Sequence, residues 1–278
     1  MTLFPKLMRD AVRRRLAKSL LPMATLRARF VLRRSAPRRV LVDTSVLGHG
    51  VTHETGWIST GTGMWGNIEV PTGYLAQIPV HAPQNAGRLY NEVQYLASIA
   101  HLGRTGHLKL CSSAELGAER FRQPVGRFIG YSWADHSVFK DISMESVDGF
   151  HLDLADPKET QLERVAACTD PLYRSLLEVL GEKLSLDAYH IYTAERHGLF
   201  CFLHIDFALA DRVSKSSTKA PFTELRTRVL LPSELARLFG VLPVATNLLT
   251  LADDDTSFPV RADLHSEKQQ RQRQRKPT

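Results

Sequence analysis

The chain has 278 residues, 43% of them hydrophobic, enough to bury one sizeable core, and its length alone allows one or two domains. Its formal net charge of +7 is unevenly spread: residues 1–39 hold twelve Lys/Arg against Asp10 alone, residues 266–278 hold five basic residues against Glu267, and residues 40–265 are left at −8. No apolar run approaches the roughly 18 residues a membrane span needs. Three cysteines without paired ligand spacing exclude a disulfide framework and read as reduced thiols in a cytoplasmic protein.

In chain order, Phe4, Met8, Val12, Leu16 and Leu20 recur every four residues beside Arg13, Arg14 and Arg15, which predicts an amphipathic helix over 4–21 closed by Pro22. Residues 1–39 thus form a basic helical arm. Such an arm can grip nucleic acid, dock on a partner, lie on an anionic membrane or act as a transit sequence; nucleic-acid or partner contact is preferred over targeting. Next, Arg39 to Leu47 reads as a buried parallel strand with Asp43 at its carboxyl end, where open α/β sheets place their sites.

A glycine-rich insertion near 48–88 follows, with Trp57, Trp65 and Tyr74. Thr60-Gly61-Thr62-Gly63 predicts a turn between two short strands, the aromatics forming a small core of the insertion in preference to stacking on bases. His49 and His53 stand four apart in this loop without the companions a zinc site requires. Leu89, Val93, Leu96 and Ile99 line the core face of a helix ending near Gly103, and His107 to Ser112 is a short strand leading into a helix that carries Glu115. A second insertion, 122–170, has weak periodicity, contains Trp133-Ala134-Asp135-His136, and reads as a solvated acidic loop with short helices.

Leu186 to Asp206 is a helix, a stop at Gly198 in the C′ position and a β-rich strand ending at Asp206, with Asp187 in the helix's first turn. A closing strand and helix begin at Arg228, and residues 241–278 form an extension whose basic tail lacks apolar residues and is expected to be disordered.

Four carboxylates, Asp43, Glu115, Asp187 and Asp206, therefore sit at strand ends or helix starts that an α/β chain can bring together. Each has a plain structural reading as well. Asp43 suits an N-cap, Ser112 and Glu115 are spaced as a capping box, Asp187 suits a helix first turn, and Asp206 suits a turn. Glu119, one helical turn beyond Glu115, is the substitute for it. Converging carboxylates repel unless a cation neutralises them, and hard oxygen donors in that number select magnesium or manganese. Such an ion activates water and stabilises a departing phosphodiester oxygen.

With Val-Leu-Val-Asp-Thr-Ser-Val-Leu at 40–47, Ser-Ser-Ala-Glu-Leu at 112–116, Asp-Ala-Tyr-His at 187–190, the strand ending in Asp206 and the strand and helix from Arg228 to Leu235, the chain resembles the PIN-domain nucleases. The intervals of 72 residues from Asp43 to Glu115 and from Glu115 to Asp187 are longer than in compact members. The resemblance implies a three-layer α/β/α sandwich over 40–240 with a mainly parallel sheet, and a metal-dependent endoribonuclease with Asp43, Glu115, Asp187 and Asp206 as catalytic metal ligands. It also implies single-stranded RNA as partner, drawn in by the basic ends, and allows a toxin with a cognate inhibitor protein or a homo-oligomer. The alternatives are a structure-specific DNA nuclease and a catalytically silent PIN-like binding module.

Overall fold

The computed structural model describes residues 16, 19–81, 87–131, 135–150 and 158–251. The body is an α/β fold around five strands that pair in parallel throughout, in the order β6-β4-β1-β7-β8. These are β1 (Arg38–Val42), β4 (Leu108–Ser112), β6 (Glu145–Ser146), β7 (Cys201–Leu203) and β8 (Arg228–Leu230). Central β1 and β7 are apolar at every position from Val40 to Val42 and Cys201 to Leu203, as strands covered on both faces must be.

Alternation along these strands feeds two separate cores. Val40, Val42, Cys201 and Leu203 point into one core, shared with α1 (Leu26–Leu32), α4 (Leu96–Arg104) and α11 (Pro232–Phe239). Leu41 and Phe202 point into the other, shared with α5 (Ala114–Phe121), α7 (Lys158–Ala166), α8 (Pro171–Leu180) and α9 (Ser185–Arg196). Helices therefore cover both faces, an arrangement compatible with three layers. No helix among the described residues is long and apolar enough to cross a membrane.

The element ends follow local chemistry. Gly198 takes the left-handed conformation (φ 62°) one residue past the C-cap of α9, as its position predicts. Glu92 at the end of α3 (Arg88–Val93) is buried and accepts from Ser233 N and Ser233 Oγ, both at 2.8 Å, tying α3 to the first turn of α11. The extension begins as part of the body, since Leu242 N donates to Ala24 O and Val244 N to Gln94 O, both at 2.9 Å.

Several expectations need correction. Most of the 4–21 helix lies outside the described residues, but residues 19–24 are helical through Pro22, so the proline does not close the helix there. Instead the chain continues through Thr25 into α1, and Ala24 just before it joins Ala28 and Leu32 of α1 in the core. The insertion after β1 forms a long two-stranded ribbon, β2 (Val51–Trp65) and β3 (Ile68–Pro79), and not two short strands. Its turn is Gly66-Asn67, with Gly66 at φ 62°, the first central position of a two-residue hairpin loop. Gly61 (φ 114°) marks the register shift between Ser59 and Gly61, a bulge where the sequence suggested a turn.

Trp65 at the ribbon's tip is exposed together with Met64 and Ile68, so it builds no internal core. β2 also pairs at its root with the two-residue β5 (His136–Ser137). The 122–170 insertion is only partly solvated. Asp135 is buried and accepts from Thr55 N at 2.6 Å, Thr55 Oγ1 at 2.7 Å and Tyr131 N at 2.7 Å, which pins the insertion to the ribbon's root. Asp148 likewise accepts from Ala114 N at 2.6 Å. Trp133, Ala134, Asp153 and Asp156 fall outside the described residues, as does the basic tail.

Candidate metal centre

Strands β1 and β7 are neighbours at the middle of the sheet, and their carboxyl ends deliver the first two acids. Asp43 follows Val42 directly, and its backbone N–H donates to Leu203 O at 2.9 Å, which locks the two strand ends together. Asp43 then caps α2 (Thr44–His49): its Oδ2 accepts from Ser45 N at 3.1 Å and from Ser45 Oγ. Ser45 Oγ in turn accepts from Ile205 N at 3.1 Å, bridging to the segment that leads to Asp206. Asp206 caps α10 (Phe207–Ser216), its Oδ1 accepting from Ala208 N at 2.7 Å and Leu209 N at 3.0 Å. Both acids thus stand at helix N-termini, where the free N–H groups favour a negative charge. At Asp43 the capping reading and the site reading describe the same residue, while Asp206, read as a turn residue, is an N-cap.

The third acid comes from α5. Glu119 Oε2 accepts from Thr44 Oγ1 at 3.1 Å, and its Oε1 accepts from His190 Nε2 at 3.0 Å. His190 lies on α9 one turn after Asp187, a spacing that puts the two on one helix face. Asp43, Glu119 and His190 each bring one ligand atom within 4.8 Å of the others'.

Glu115 is not in this group. Its carboxylate is buried and held by Arg164 of α7 through two contacts of 3.1 Å, Nε to Oε1 and Nη2 to Oε2. The expected capping box is displaced by one residue as well. Ser113 is the N-cap of α5, accepting from Leu116 N at 3.3 Å, and Glu115 is the first-turn acid that Arg164 neutralises. Glu119 stands where Glu115 was expected.

Charge in the pocket is strongly coupled. Burial, followed by the nearby Asp43, Asp206 and Glu119 charges, pushes the Asp187 carboxyl up to about 7, against the opposing pull of His190. Burial alone would lower His190, but the Glu119 charge and hydrogen bond, with Asp43 and Asp187, push it up to about 9. At Glu119, burial works upward yet the His190 charge, the His190 and Thr44 hydrogen bonds and Arg122 hold the carboxyl below its ordinary value. His204, at the end of β7, is driven down to about 4 by burial although Asp43 and Asp206 oppose this. Asp187 and Asp206 are thereby linked electrostatically to the Asp43-Glu119-His190 group.

Sequence reasoning missed His190 as a member of the pocket. The signal for it was the i, i+3 pair of Asp187 and His190 on a single helix.

The donor set fits a cation. Asp43 and Glu119 supply oxygen donors beside His190, that of Asp43 fixed by a backbone N–H, while Asp187 and Asp206 act on the group through their charge. His190 Nδ1 is buried without a hydrogen-bond partner. Nε2 donates to Glu119, and with the pocket pushing His190 up to about 9 the ring supplies positive charge at neutral pH, so a lone pair at Nδ1 is offered only when a cation displaces its proton.

Compared with protein-family models, with curated proteins and with solved structures, the chain matches none.

Proposed function

We propose that the chain is a divalent-metal-dependent phosphodiesterase of PIN-like type that cuts RNA. One observation carries the reading: Asp43, Glu119 and His190 converge within 4.8 Å at the carboxyl ends of adjacent central strands, with Asp187 and Asp206 coupled to them by charge. An open parallel sheet binds its ligands in that crevice. Magnesium or manganese is the ion favoured by a carboxylate-rich set, held by Asp43, Asp187, Asp206 and Glu119. When bound, it would supply charge neutralisation, a water of lowered pKa and stabilisation of the leaving oxygen.

The chain's own residues prepare the pocket. Ser45 and the N-terminus of α2 orient Asp43, while the N-terminus of α10 orients Asp206. Thr44 and His190 fix both oxygens of Glu119. Asp187, whose proton is held to about pH 7 by burial first and then by the neighbouring carboxylates, is the group whose ionisation completes the negative set. RNA over DNA and an inhibitor partner rest on the resemblance to PIN-domain nucleases alone, and a cytoplasmic setting rests on the three unpaired cysteines.

The test is a quenched fluorescent single-stranded RNA and the equivalent DNA, incubated with manganese, with magnesium and with chelator. Metal-dependent cleavage of RNA, abolished by Asp43→Asn and by Glu119→Gln, is the expected result. Cleavage confined to DNA would reassign the substrate, and full activity in both variants would reject the site.

A second reading, a catalytically silent binding module, draws support from the Glu119–His190 pair. A protonated His190 already supplies positive charge to the pocket. Absence of both metal-induced stabilisation and cleavage would favour it.

A further inference from the structure

Helix α1 has two apolar faces, of which the protein core uses one. Ala24, Ala28 and Leu32 are buried against α11 and its neighbours, so this part of the basic N-terminal region is fixed to the folded body. The opposite face carries a ridge of Leu26 and Phe30, four residues apart and exposed by 67% and 69%, and Met23 of the helical turn just before Thr25 is exposed by 68%. Leu242, bonded through its N–H to Ala24 O, is 60% exposed as well.

Arg27, Arg33 and Arg34 are exposed along the same helix and its end. Residues 16–39 hold Lys18, Arg27, Arg29, Arg33, Arg34, Arg38 and Arg39 and no acid at all.

These two properties together select one occupant. A phosphate polymer would take the arginines but leave Met23, Leu26 and Phe30 in water, since phosphate contacts are polar. A second copy would bury the ridge only by stacking two acid-free basic segments against each other, and like charges brought together at close range repel. An anionic lipid surface takes both, with apolar side chains at the acyl boundary and arginines at the headgroups. We propose that α1 is an interfacial anchor that seats the body on an anionic membrane surface through Met23, Leu26 and Phe30, with Arg27, Arg33 and Arg34 at the headgroup level.

The inference is independent of the metal pocket, so Asp43→Asn is the control that should bind like wild type. Full-length protein is floated with vesicles of phosphatidylcholine alone and of phosphatidylcholine mixed with phosphatidylserine. Binding is expected only to the mixed vesicles, and it should weaken as salt is raised. The double change Leu26→Ser and Phe30→Ser touches only exposed side chains, so circular dichroism and the melting profile should match wild type. It should lower vesicle affinity about a hundredfold by removing the apolar contacts. Arg33→Gln with Arg34→Gln should lower it by roughly tenfold or more.

Absence of binding to mixed vesicles at low salt overturns the proposal. So does binding indifferent to the Leu26/Phe30 change, the result expected were the ridge covered by residues 1–15 of the chain. A dimer in solution that dissociates in the Leu26/Phe30 variant, with no vesicle binding, would assign the ridge to self-association. Single-stranded RNA binding lost in the Arg33/Arg34 variant, with no vesicle binding, would assign the arginines to nucleic acid.

Discussion

His190 Nε2 donates to Glu119 Oε1 at 3.0 Å with both side chains largely out of water, so a cation and a carboxylate face each other inside the acidic pocket. Breaking such a pair from one side leaves a buried charge uncompensated. Glu119→Gln is therefore expected to destabilise the metal-free protein by about 2–4 kcal/mol at pH 7. Urea unfolding measures it. The loss should shrink as pH rises through about 9, because His190, raised above its unfolded value, contributes stability that is complete below pH 6.5 and gone once it deprotonates in the folded state. A loss that does not vary between pH 6 and pH 10 would contradict the pairing.

Glu115 and Glu119 sit one turn apart on α5, and their partners separate their roles. Glu115→Gln should cost about 1–3 kcal/mol by removing the buried charge that Arg164 holds through two hydrogen bonds, yet keep any stabilisation by manganese. In Glu119→Gln that metal effect should disappear. Manganese at a hundred times its dissociation constant should add about 2.7 kcal/mol to the wild type by mass action. The reverse pattern, with metal response lost only in the Glu115 variant, would restore Glu115 to the pocket.

Asp187 carries a raised folded-state pKa of about 7, so it keeps its proton where the unfolded chain has lost it. Its contribution to stability therefore falls as pH rises from 3.8 to 7 and stays lost above. Asp187→Asn should raise metal-free stability by roughly 2–4 kcal/mol at pH 8 and leave it nearly unchanged near pH 3.5. Thermal melts across that range decide the matter, and an equal gain at both ends would rule out the electrostatic cause.

Two histidines outside the pocket predict acid sensitivity. Burial, followed by the facing ring of His136, drives His53 down to about 4, and burial, followed by His49, does the same to His81. For a histidine whose folded value is depressed, stability is full above the unfolded value near 6.5 and is lost as pH falls toward 4. In the Asp187→Asn background, where the opposing gain from Asp187 is absent, urea midpoints should drop between pH 7 and pH 4.5, and adding His53→Gln should flatten part of that drop. A midpoint that holds steady over this interval would mean that both rings protonate freely in the folded protein.

The central strands were legible because an apolar run ending in a carboxylate has few other solutions, and β1 with Asp43 and β7 before Asp206 follow from that pattern. Gly198 was legible for the same kind of reason, since the chain needs a left-handed residue there. The choice between Glu115 and Glu119 was not, because it depends on Arg164 arriving from a helix whose position the local sequence does not fix. His190 escaped for a related reason: its role comes from meeting Glu119 across 71 positions of chain. The ribbon's turn was misplaced since Gly61 and Gly66 both allow positive φ. Only the pairing register tells a bulge from a turn.

The body's sheet ends in strands of two and three residues, β6 and β8, which offer little open backbone to another molecule. The ribbon differs, because the twelve-residue β3 is an outer strand of its sheet along its whole length. Pro71 takes one N–H out of that edge, and Glu69 places a charge beside it. Aggregation in concentrated solution should therefore nucleate on β3, with Pro71 and Glu69 acting as gatekeepers whose removal would shorten the protein's shelf life without touching its core.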